Sequence, residues 1–142
     1  MPGMSRVPNI KTAEQEARRF LDDFDGQVAA LELRDYVYAW TTDEDEIPDN
    51  AIIVGIGGTS VEMLLAGLPY VEPTASIYWS AAVTAHGVFS VGTEPGPWNV
   101  PEALARAHFL RQRMGYERVV VTMEEAGIWR PEYGRLAERE GL

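Results

Sequence analysis

The spacing of apolar positions changes period several times along the chain, and each change marks an element. Thr12-Ala13-Glu14-Gln15 is a capping box, and Ala13, Ala17, Phe20, Leu21 and Phe24 follow at the 3.6-residue spacing of a helix that Asp25-Gly26 ends. Residues 28–41 fit two periods. As a strand they place Leu31, Leu33, Val37 and Ala39 on one side and Glu32, Arg34, Tyr36, Tyr38 and Trp40 on the other. As a helix they align Ala30, Leu33, Val37 and Trp40 equally well. The β-branched and aromatic residues near the end favour the strand. Residues 51–56 form a continuous apolar run, so a strand is expected there. Gly57-Gly58-Thr59 then reads as a hairpin turn into a return strand, Val61-Glu62-Met63-Leu64-Leu65.

Gly67, Pro69 and Pro73 break the chain before a strand at Ser76-Ile77-Tyr78-Trp79, and another covers roughly 86–91 until Glu94-Pro95-Gly96-Pro97 stops it. Asn99-Val100-Pro101-Glu102 opens a second helix, with Asn99 as cap and Pro101 in the first turn. Val100, Ala103, Leu104, Ala107, Leu110 and Met114 make its buried stripe, and Gly115 its stop. Arg118-Val119-Val120-Val121-Thr122 is the last strand expected. The order predicts an α+β domain, with an antiparallel sheet of five or six strands and the two amphipathic helices on one face. Residues 1–142 read as a single domain, with a loose proline-marked arm over 1–10 and a C-terminal tail over 124–142.

Composition narrows the function classes. There are 22 acidic against 12 basic side chains, a net charge of -10, and no cysteine. The charge disfavours direct binding to phosphate backbones or anionic membranes, which require a basic footprint. Lack of cysteine removes thiolate metal sites and thiol nucleophiles and fits a reducing compartment. No stretch reaches the length of a membrane span, and the first residues lack the apolar core of a secretory signal. A cytoplasmic protein is expected.

Candidate chemistry is sparse. Gly55-Ile56-Gly57-Gly58-Thr59-Ser60 has Thr59 where a phosphate-binding loop needs lysine, and a plain turn explains it. His86 and His108 lack the spacing of a zinc motif. His108 reads as an edge-of-core residue. Ser60, His86 and Asp49 could be written as a triad, but no motif supports the grouping. No catalytic residue, metal or cofactor is expected.

The acid loop is more informative. Asp43, Glu44, Asp45, Glu46 and Asp49 occupy five of seven consecutive positions, too irregularly for a calcium loop. A solvated loop is the ordinary explanation of such a run. The acidity is also local: residues 1–71 carry 13 acids against 5 bases, residues 72–142 only 9 against 7. Clustered carboxylates beside the aromatics Tyr38, Trp40 and Trp98 suit a surface that steers and anchors a basic protein partner.

Several stretches together resemble a known family. They are the run Ala51-Ile52-Ile53-Val54-Gly55-Ile56-Gly57-Gly58, the strand Ser76-Ile77-Tyr78-Trp79, Gly92-Thr93-Glu94-Pro95 leading into Asn99-Val100-Pro101, and His108-Phe109-Leu110-Arg111-Gln112-Arg113-Met114-Gly115. In order and spacing they resemble the Imm family one of immunity proteins from bacterial polymorphic toxin systems. The resemblance implies an immunity protein that binds and neutralises a cognate toxin domain, often a nucleic-acid deaminase, with no catalytic residues of its own. Two alternatives remain open. The passage from Ala105 to Tyr116 resembles the helix–glycine–aromatic–strand segment of GNAT-type acyltransferases, though without their pyrophosphate-binding loop. A non-catalytic adaptor subunit is the other.

Overall fold

The computed structural model describes residues 35–142. The expected arm over 1–10, the helix begun at Thr12 and the first part of the 28–41 segment lie outside them. The element order is β1 (Val37–Thr41), β2 (Ala51–Gly57), α1 (Val61–Leu65), β3 (Thr74–Trp79), β4 (Ala82–Thr84), β5 (Gly87–Phe89), β6 (Gly92–Asn99), α2 (Val100–Met114), β7 (Arg118–Met123) and β8 (Arg135–Leu136). Six strands form one sheet in the order β6-β3-β2-β7-β1-β8, and β4 and β5 make a separate hairpin. The α+β class and the strand number agree with the sequence. The pairing does not: β7 runs parallel to both β2 and β1, and β1 parallel to β8, so the sheet is mixed. Only β3 opposes its neighbours, β2 and β6.

The strand interiors explain the parallel centre. Ile52, Val54, Val120 and Val121 have no exposed surface, and Ile53 and Val119 almost none, because both faces of this region are covered. Such strands lose the alternation that marks an antiparallel sheet with one wet face. On one face lie Ile52, Val54, Ile56, Ile77, Trp79, Val119 and Val121, packed with Val100, Leu104, Ala107, Leu110 and Met114 of α2. The smaller opposite cluster joins Ala51, Ile53 and Val120, with Ile47 and Tyr78 packed against it.

Helix α2 follows its sequence signals closely. The Asn99 side chain accepts from the Glu102 amide at 2.9 Å, and every position of the expected stripe is buried. Gly115 ends the helix with φ +79°, where a side chain is strained. The hairpin β4–β5 seals this end: the Thr84 hydroxyl donates to the Met114 carbonyl at 2.6 Å, and His86 Nδ1 lies 2.8 Å from the Arg113 carbonyl.

Strand β6 runs through Pro95 and Pro97, which the sequence reads as a stop. Edge position makes this tolerable, since a missing N–H on the outer side breaks no ladder bond. A register shift between Ala75 and Ile77 accompanies it. At the other side of the sheet the amides of Arg135, Ala137 and Gly141 donate to the carbonyls of Tyr36, Tyr38 and Trp40. Among the described residues no helix is long and apolar enough to cross a membrane.

His108 sits half-buried on α2 against Tyr36 and Tyr38, with ring centroids at 4.5 and 5.6 Å. Burial, and secondarily the Arg111 charge, pull its pKa down from 6.5 to about 4. The unfolded chain therefore binds the extra proton between those values. The stability contributed by neutral His108 is complete above pH about 6.5 and lost as pH falls toward 4. Urea unfolding at pH about 7 and about 4.5 should show the wild type losing roughly 1–3 kcal/mol more than His108→Phe. The same assay at neutral pH should give a cost of about 1 kcal/mol for Asn99→Ala, and about 1–2 kcal/mol for Gly115→Ala from the left-handed backbone.

Candidate functional site

Strands β1 and β2 are parallel and flank β7, so the chain between them must return across a face of the sheet. It crosses the face opposite α2. Ile47 anchors this crossing on Ala51, Ile53 and Val120, and the Tyr78 hydroxyl donates to Glu44 Oε1 at 3.0 Å. Glu44–Glu46 form a single 3-10 turn, with the Asp43 side chain accepting from the Asp45 amide at 3.0 Å. Glu46 accepts from the Thr41 hydroxyl at 3.2 Å.

The crossing covers only half of that face. The rest is an open trough of about 470 Å³ at the C-terminal ends of β2 and β7. Its floor is small and polar, from Gly55, Gly57, Ser76 and Thr122, and its walls carry Thr42, Tyr78, Glu44 and Glu124. A second hollow of about 390 Å³ continues it toward Thr93, Gly96 and Pro97, sharing Gly55, Gly57 and Ser76. Thr74 and Ser76 are exposed although β3 is an inner strand, so among the described residues nothing lies over them. Gly55 sets the depth: a Cβ there would meet the Tyr78 ring at 3.1 Å and Ser76 Oγ at 3.4 Å.

The electrostatics are one-signed. Asp43, Glu44, Asp45, Glu46, Asp49 and Glu124 are all exposed. Among the described residues the ion pairs join Arg106 to Glu94 and Glu102, and none reaches this rim. Exposed carboxylates above a hydroxyl floor suit cationic donors such as lysine or arginine.

The expected residues separate. Glu44 lines the trough, and Asp43, Asp45 and Glu46 are its neighbours in the same exposed turn. Asp49 lies apart: its neighbour Asn50 hydrogen-bonds Glu117, just before β7 begins, at the opposite end of the strands. Tyr36, Tyr38 and Trp40 do share one side of β1, but that side faces the core. Tyr38 is wholly buried and contacts Trp129 at 5.6 Å, which removes it as a surface anchor. Trp40 packs against the core and donates to the Ala137 carbonyl at 3.1 Å. Trp98 is cross-strand from Ala75, hence on the α2 face, and lies under the Arg106 guanidinium at 3.9 Å. The aromatics and the acid loop are thus on opposite faces.

The triad that could be written is also dispersed. Ser60 donates to Glu125 at 2.7 Å, and His86 is at the end of α2. Among the described residues no group of three or more His, Asp or Glu side chains could hold a metal. Sequence reading missed Glu124, Ser76 and Thr122, which carry no motif and meet only through strand register. The signal that could have found them is the small, polar alternation within otherwise apolar strands.

Burial, then the Glu44 hydrogen bond and charge, push the Tyr78 phenol above its ordinary pKa. In an alkaline absorbance titration Tyr78 should ionise above the ordinary tyrosine range. Glu44→Gln should bring it down only in part, because burial is the larger cause.

Comparison with known protein families, with curated proteins and with solved structures finds no match to the chain.

Proposed function

We infer that this protein is an immunity protein that binds and neutralises a basic toxin domain acting on nucleic acid. The observation that carries the reading is the acid-rimmed trough, where Glu44 and Glu124, distant in sequence, converge and no ion pair among the described residues reaches them. A toxin that holds nucleic acid needs a basic cleft, and a surface of opposite sign would both speed encounter and occupy it. The two histidines, Ser60 and the acid loop have separate structural partners, which favours binding over chemistry. The resemblance to the Imm family points the same way. The compartment proposed is the cytoplasm, where such a toxin would act.

Co-expression with the product of the neighbouring gene, scored for growth rescue and a co-purifying complex, tests this. Association measured by stopped flow should slow steeply with added salt. Replacing Asp43, Glu44, Asp45, Glu46 and Glu124 by their amides should lower the on-rate by about tenfold or more and flatten that dependence. Asp49→Asn, at the far end of the strands, should change it little. An on-rate indifferent to salt, or a neutral or acidic partner, would count against the reading. A rise in melting temperature with acetyl-coenzyme A would favour an acyltransferase instead.

A further inference from the structure

Residues 61–65, expected as a return strand, are the short helix α1, and β2 pairs with β3 only after a projecting arm. This arm inverts the usual distribution of residue types. Its polar residues are inside: Ser60 has no exposed surface and Thr59 little. Its apolar residues are outside: Val61 is 60% exposed, Leu65 84% and Val71 58%, and Leu64, Leu68 and Tyr70 are exposed as well. Single exposed apolar residues are ordinary, but six within eleven positions make a patch of the kind that marks an interaction site.

The arm is held in that state by polar bonds. The Thr59 amide donates to the Val71 carbonyl at 3.0 Å, the Val71 amide to Thr59 Oγ1 at 2.7 Å, and Thr59 Oγ1 to the Pro69 carbonyl at 3.0 Å. Ser60 caps α1 through the Met63 amide at 3.1 Å while its own hydroxyl bonds Glu125. At the base Gly58 lies so close to Pro73 that a Cβ would come within 2.8 Å of its Cα. Apolar groups fixed in place lose little freedom on binding, as the anchor of an interface requires.

The geometry points to the arm as the apolar anchor for the same partner that the acid trough steers, so it rests on the immunity reading. Two features select that occupant. Glu124 lines the trough and the next residue, Glu125, accepts from Ser60 at the base of the arm, so the two surfaces meet at the end of β7. The patch is bordered by exposed Glu62 and Glu72, with Glu124 on the adjoining β7 end and the Arg130 guanidinium on Tyr70, so carboxylates outnumber cations among these neighbours, which complements an apolar surface with a basic rim. A second copy of this chain would bring the same carboxylates against each other at a net charge of -10 each.

The test compares wild type, Leu65→Ser/Leu68→Ser/Val61→Ser and the single Leu65→Arg for binding to the toxin domain encoded beside this chain, with growth rescue in parallel. Expected are a loss of affinity of about 100-fold in the triple variant, mostly in the off-rate, and an unchanged salt dependence of the on-rate. Leu65→Arg, at the most exposed position, should weaken binding in the same direction with its melting temperature unmoved. Variants that bind within about threefold of wild type, while wild type rescues growth, overturn the anchor and leave the immunity reading standing. Failure of wild type to bind or rescue overturns both. Wild type that sediments as a dimer, with Leu65→Arg monomeric, makes the arm a self-association surface and also overturns the proposal.

Discussion

The placement of β7 between two strands parallel to it governs the molecule. A parallel connection cannot be a tight turn; it must pass over one face of the sheet. Helix α2 occupies one face, so the chain from Thr41 to Ala51 takes the other. Nine residues reach about 30 Å when extended, more than the return over two strand spacings needs. The slack is taken up in the turn at Glu44–Glu46 and secured by Ile47 below it. The acid loop is therefore a crossover whose route is fixed by topology. Glu44 lines the trough because the crossover covers only part of the face.

How much of this could be read from the residues depends on whether the signal is local. Helix α2 was legible because its cap, stripe and glycine stop all lie within one segment. The fold class was legible for a similar reason, through the sum of local periods. Strand direction was not, because parallel pairing leaves its mark in which other strands cover a residue. Val61–Leu65 shows the limit at short range: five apolar-rich residues fit a strand or a helical turn, and only Ser60 as a cap separates them. The strand period in β1 correctly grouped Tyr36, Tyr38 and Trp40, yet it could not say which side met the core. The acid loop was visible as composition, whereas Glu124 and Ser76 join it only through register across three strands.

In the proposed complex, rate and lifetime would draw on different parts of this surface. Charge acts at a distance and screens with salt, so the trough rim would govern encounter. Apolar contact acts only on touching, so the arm would govern how long the proposed partner stays. The fold keeps these parts on separate supports: the rim hangs on the β1–β2 crossover and the end of β7, the arm on Thr59 and Ser60. Each can be altered without unpacking α2 from the sheet.

The two borders of the main sheet bear on what kind of recognition is open to it. On β6, Pro95 and Pro97 carry no amide for an added strand, and the strand at the other border, β8, is only two residues long. Recognition by strand addition reads mainly the peptide backbone, which is the same in every protein. With that route blunted, the proposed recognition would fall to side chains on a face and on an arm. Such a surface can be rewritten by a few substitutions while the backbone stays as it is.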